Sequence, residues 1–164
     1  MTAPATARAR HGAPTRWERA LLLICALGGV LLAFIGVRYL LVPEAAARTF
    51  GVPARPTGHE LYHIIGIRNV WLGLLAISYA VLRQWRALAL WFATGAVVCF
   101  ADAGIAARAL GALPQIAFHV GCGVCCAALC AATWRAGARA RLRRETVRAP
   151  LQLCRALLGS RKEV

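Results

Sequence analysis

The chain has 164 residues, room for one domain. Hydrophobic residues make up 60% of it, well above a soluble domain's usual share. Its formal charge is +14, but nine basic residues lie in the last thirty positions and four in the first nineteen. The charge therefore flanks the apolar stretches, which argues against nucleic acid as the partner and for a lipid bilayer.

Residues 1–19 open the chain as a basic segment. Its first fifteen positions are rich in Ala, Thr and Arg with two prolines, a composition that predicts disorder. Four apolar runs follow, at about 20–42, 61–82, 87–110 and 113–134. Each is close to the ~20 residues that a helix needs to cross a ~30 Å hydrocarbon core. Lipid offers no water to backbone groups, so spans of this length are helices. The expected fold is all-α, a four-helix transmembrane bundle over residues 20–134. The first run exceeds the 7–15 residues of a signal-peptide core and carries Arg38, so it reads as a retained anchor.

Fifteen of the 20 basic residues fall on one side of these spans, in the N-terminal segment, the turn at 83–86 and the tail from Arg135. The positive-inside rule then places both termini in the cytoplasm, as in a multi-pass inner-membrane protein. Trp17, Trp85 and Trp134 fall at the predicted inner interface, and Tyr39 and Tyr62 near the outer one.

The outer loop, 43–60, holds Pro43, Pro53, Pro56, Gly51 and Gly58 and reads as a structured turn region. Pro43 and Glu44 suit the first turn of a short helix over 44–50. The turn at 111–114 is tight, with Pro114 opening the fourth helix. In the tail, 135–164, Leu151, Cys154 and Leu158 recur at helical spacing among arginines. That pattern suits an interfacial helix on anionic lipid, while a disordered topological flank is the competing reading.

Each span carries one residue that a membrane interior disfavours: Arg38, Arg68, Asp102 and His119. Counted from the helix ends, all four lie roughly 7–12 Å below the outer boundary. Asn69 and Gln115 sit near that level, with Glu44, Glu60 and His63 just above as an outer mouth. A lone charge at mid-helix costs roughly 2.5–3.5 kcal/mol on insertion scales, less toward the interface. Pairing offsets this, and the expected pair is Asp102 with Arg68, His119 being bonded to either. Arg38 can snorkel outward toward Glu44 or Glu60. The cluster Arg38, Arg68, Asn69, Asp102 and His119 serves either helix packing or a pocket for a small polar or anionic ligand. The spare positive charge makes an anion or a quinone-like carbonyl the first ligand to test. No motif assigns a catalytic residue, a metal or a cofactor.

Two segments echo one another, Ile35-Gly36-Val37-Arg38 and Ile65-Gly66-Ile67-Arg68. Glycine near an arginine lets a neighbouring helix approach closely, but four matched positions do not establish a duplication. Of seven cysteines, Cys122, Cys125, Cys126 and Cys130 crowd the fourth span. Small-residue packing is the preferred reading of them. A redox pair at Cys122 and Cys125, or a soft metal site on the face shared by His119, Cys122, Cys126 and Cys130, are the alternatives. A four-helix redox enzyme similar to vitamin K epoxide reductase would also need shuttle cysteines in the outer loop, which has none.

The run Arg38-Tyr39-Leu40-Leu41-Val42-Pro43-Glu44-Ala45-Ala46, then Phe50-Gly51-Val52-Pro53, Gly66-Ile67-Arg68-Asn69 with Gly73, Asp102 and His119 resembles the bacterial family catalogued as domain of unknown function 4267. The resemblance covers about 36–134 and implies a small four-helix membrane protein without an established activity. That family usually shows a lysine before the helix-two glycine and an aspartate after its arginine, where this chain has Ile65 and Asn69. A more distant likeness, at fold level, is to DoxX-like proteins, some linked to quinone and thiol oxidation. Two further functions stand beside ligand binding: a quinone-linked oxidoreductase accessory, and a small transporter. The latter would require a homo-oligomer, since four helices rarely enclose a pathway alone.

Overall fold

The structure is a computed structural model that describes residues 14–53, 58–109 and 112–160. The described residues form five helices, α1 (Arg16–Leu41), α2 (Pro43–Phe50), α3 (Glu60–Val81), α4 (Trp85–Ala109) and α5 (Leu113–Ser160). Four stretches are long and apolar enough to cross a membrane: α1, α3, α4 and the part of α5 from Leu113 to Arg143. The segment expected to be disordered, up to residue 13, the loop positions Arg55 and Pro56, and Gly111 lie outside the described residues.

Local chemistry sets the helix ends. Thr15 caps α1 through a reciprocal box: its hydroxyl accepts from the Glu18 N–H at 3.2 Å, and the Glu18 carboxylate accepts from the Thr15 N–H at 2.8 Å. Pro43 then forces Val42 out of helical geometry (φ −137°, ψ 62°) and itself opens α2. Gly51 ends α2 in the left-handed region at φ 104°, where its N–H and that of Val52 both reach the Ala47 carbonyl. The α3–α4 turn places Arg83 at φ 55°, a strained choice for a residue with a side chain.

The helices pair as two antiparallel hairpins, α1 against α3 and α4 against α5. Glycine makes the first pairing close. A Cβ on Gly36 would stand 2.6 Å from the Gly66 carbonyl oxygen, and one on Gly29 would stand 2.7 Å from that of Gly73. Gly36 and Gly66, the shared members of the sequence echo, are thus the two faces of one crossing. Both hairpins meet at the end opposite α2, where Leu21, Cys25, Ala80, Leu88, Phe92 and Ala136 form a buried cluster. Around this seam the helices turn apolar side chains outward. Leu27, Trp71 and Val97 are 57%, 66% and 70% exposed, a surface that only lipid or another apolar partner would cover.

The fourth span differs from expectation in length. The helix does not stop near Trp134 but runs through the basic tail to Ser160, 48 residues in one element. Residues 135–144 are mostly Ala, Arg and Leu, strong helix formers, and Gly137 alone is too weak a breaker to end the helix. At this end Arg143 reaches back to Glu18 at 3.5 Å, joining α5 to the start of α1.

Candidate functional site

The α2 end of the molecule gathers the polar residues that the spans carry. His119, on α5, is only 7% exposed, and its Nε2 lies 3.0 Å from the backbone carbonyl oxygen of Phe50. A carbonyl only accepts, so Nε2 carries the proton and Nδ1 is free of it in the neutral ring. The rings of Phe50 and His119 also pack against one another, tilted by 56° with centroids 4.5 Å apart. Gly51 seals the same contact: a Cβ there would stand 3.0 Å from the Gln115 side chain and 3.2 Å from Ala106. The end of α2 is therefore docked on the α4–α5 hairpin, although in sequence it sits between α1 and α3.

Arg38 donates from Nη2 to the Thr49 hydroxyl at 3.2 Å, and Thr49 in turn donates to the Ala45 carbonyl. This corrects the expected snorkelling toward Glu44 or Glu60. Glu44 is engaged elsewhere, 3.8 Å from Arg48 one turn along α2 and 3.5 Å from His59. Thr49 and Glu44 share the short helix α2, and it is Thr49 that meets Arg38 while Glu44 meets Arg48 and His59. Glu60 and His63 are exposed, and Asn69 is half-buried. Among the described residues none of these three forms an ion pair or a side-chain hydrogen bond, the His63 ring lying 6.5 Å from that of His59.

The expected ion pair between Asp102 and Arg68 is not formed among the described residues. Asp102 is half-buried on α4 and Arg68 is exposed on α3, on different hairpins. The two are near enough to feel each other's charge, and Asp102 also lies within electrostatic range of His119 and Tyr39. The buried cluster that the two hairpins share lies at the other end. His119 likewise bonds a backbone carbonyl in place of either charged group.

One group escaped the sequence reading, and another, Gln115, carries a feature that its predicted level in the layer did not show. Tyr39, taken as an interfacial aromatic, is 4% exposed, its ring 6.2 Å from that of Tyr62. The spacing of the buried positions Leu21, Cys25, Gly29, Gly36 and Tyr39 was the available signal, since it draws one inward stripe along α1. Gln115 precedes His119 by one turn on the same face, and its Oε1 is buried without a hydrogen-bond partner.

The six cysteines among the described residues are free thiols, and Cys99 on α4 lies close to Cys126 on α5. The Cys126 sulfur also sits against Gly95, where a Cβ would be 3.6 Å away. Among the described residues no group of three or more His, Cys, Asp or Glu is placed to hold a metal ion. Two clefts stand out on the surface, one of about 280 Å³ beside Glu44, Arg48 and His59 and one of about 110 Å³ at the opposite end. Neither is lined by Arg68, Asp102 or His119.

No curated protein and no solved structure matches this chain, and the likeness to DoxX-like proteins gains no support. A family model does match, over residues 29–133, from the first glycine contact of α1 to the buried Thr133 of α5. The chain belongs to the family described as Domain of unknown function (DUF4267).

Proposed function

We propose that this is a multi-pass inner-membrane protein, both termini cytoplasmic, whose outer polar layer binds a small anionic or polar ligand. The layer divides its labour. Arg38 and His119 hold α2 down, through Thr49 and the Phe50 carbonyl. Arg68, Asp102 and the Gln115 amide oxygen remain without bonded partners among the described residues. The observation that carries the reading is that Arg68 and Asp102 share a neighbourhood but do not pair. Two unpaired charges at membrane depth are costly, and a network built only for packing would close them into contact. A ligand with an anionic or carbonyl oxygen for Arg68 and a donor for Asp102 or Gln115 completes the layer. Asn69 is a neutral amide and Glu44 and Glu60 are carboxylates, which leaves Arg68 as the cation that meets the ligand first.

The test is a thermal-stability screen of the purified protein in detergent with sulfate, phosphate and small carboxylates. At least one anion should raise the melting temperature of the native chain and leave Arg68→Gln unmoved. If none shifts the native protein, or if the shift survives in Arg68→Gln, the reading is wrong.

A second reading rests on Cys99, one turn from Asp102 and close to Cys126. In an oxidoreductase accessory, this dithiol would lose two electrons and two protons to a membrane quinone, giving a disulfide and a quinol.

A further inference from the structure

The cleft at the end opposite α2 is built differently from the outer layer. It has a volume of about 110 Å³ and lies where the start of α4 crosses α5, between Trp85 and Arg86 on one side and Thr133, Trp134, Gly137 and Arg141 on the other. Gly137 is what brings the helices together: a Cβ there would stand 2.9 Å from the Trp85 Cβ. Thr133 forms part of the wall but offers no free proton, since its hydroxyl already donates to the Leu129 and Cys130 carbonyls at 2.7 and 3.0 Å.

Charge is the second feature. Arg86 and Arg141 are exposed, and among the described residues neither is in an ion pair. The nearby carboxylate of Glu18 is taken by Arg143, and Glu145, one turn beyond Arg141, does not pair with it. The first turn of α4 contains no acidic residue, so its positive pole adds to the two guanidinium groups. Depth is the third. Trp85 and Trp134 stand at the end of the apolar spans, where indoles prefer the headgroup region. This is also the side on which basic residues dominate, the side that faces an anionic leaflet.

We infer that this cleft binds the phosphate headgroup of an anionic phospholipid, with Arg86 and Arg141 on the phosphate oxygens and Trp85 and Trp134 flanking the glycerol backbone. A guanidinium fork matches a phosphate in a bidentate manner, whereas an isolated surface charge does not select a headgroup. The site is distinct from the outer layer, and from the diffuse attraction of the tail for acidic lipid. Free phosphate shares the headgroup chemistry, but the paired indoles at the membrane boundary favour a ligand carrying acyl chains.

The experiment uses the full chain in nanodiscs of phosphatidylcholine doped with phosphatidylglycerol, reading bound phosphatidylglycerol by native mass spectrometry. The native chain should retain phosphatidylglycerol over phosphatidylcholine, and Arg86→Gln/Arg141→Gln should lose about tenfold or more of that preference. Arg135→Gln/Arg139→Gln removes the same charge from α5 outside the cleft and should change it less than about twofold. An unchanged preference in the first variant overturns the proposal, as does an equal loss in the second. Competition by inorganic phosphate at matched concentration also overturns it, in favour of a free-phosphate site. All the exchanged arginines are exposed, and a melting temperature equal to the native chain's confirms that the fold is kept.

Discussion

His119 holds the backbone carbonyl of Phe50 at 3.0 Å across 69 residues of chain. The contact lets the short helix α2 close one end of both hairpins while being covalently part of only one. His119→Ala leaves the Phe50 carbonyl without this donor and removes the ring packed against Phe50, a loss of about 1–3 kcal/mol. Thermal unfolding in detergent should show it as a lowered melting temperature. A variant that melts with the native protein would remove His119 from the architecture.

The glycine crossing makes a sharper demand. A methyl group at Gly36 meets the Gly66 carbonyl and the Val70 N–H, both at 2.6 Å, and backbone atoms cannot turn aside. Gly36→Ala should therefore destabilise the α1–α3 hairpin by about 1–3 kcal/mol. Gly104, on α4, has nothing within 4 Å of its added Cβ, so Gly104→Ala should be neutral or gain up to about 1 kcal/mol of helix propensity. Equal melting of the two variants would contradict the close approach.

These contacts mark where the sequence was legible. Apolar runs and turn residues located the four long helices, and Pro43 with Glu44 located α2, because span length and capping are local properties. The buried stripe of α1 follows from spacing, though Tyr39 reads as an interfacial aromatic because its ring suits both places. Partner choice is not local. The Phe50 carbonyl that meets His119 belongs to the backbone and carries no signature in the residue type. The separation of Arg68 from Asp102 depends on how the two hairpins splay. Residues 135–160 leave an interfacial helix and a disordered flank both open in the sequence, because their charge is as conspicuous as their helix propensity.

With Arg68 and Asp102 apart, their substitutions should have effects opposite to those of a closed pair. Asp102→Asn keeps the volume, breaks no hydrogen bond among the described residues and removes an unpaired, half-buried charge, so stability should hold or rise by up to about 2.5 kcal/mol. Arg38→Gln loses the charged donor to Thr49 that ties α1 to α2, and should cost about 0.5–1.5 kcal/mol. Chemical denaturation of both variants orders them. A larger loss for Asp102→Asn would restore the ion pair.

Glu18 does two things at the basic end, capping α1 and pairing with Arg143 at 3.5 Å while itself only 7% exposed. Glu18→Gln keeps an oxygen for the Thr15 N–H but loses the charge; Glu18→Ala loses both. Stability should fall in the order native, Gln, Ala, with about 0.5–2 kcal/mol separating the ends. Added salt should narrow the gap between native and Gln, because the Arg143 side of the pair is open to solvent. Identical unfolding curves for Gln and Ala would show that the cap is not formed.

The cysteines offer a choice between two geometries. Cys122 and Cys125 lie one turn apart on a single helix, where Cβ atoms stand about 5–6 Å apart. A disulfide needs about 3.5–4.5 Å, so this spacing resists closure without bending α5. Cys99 and Cys126 lie close to one another across α4 and α5. Mild oxidation with copper phenanthroline should therefore link Cys99 to Cys126, read by peptide mapping of the non-reduced protein. Cys99→Ser should abolish the link and Cys122→Ser should leave it intact. A Cys122–Cys125 product in the native chain would mean that α5 opens at this turn, and would move the redox reading to the pair within that helix.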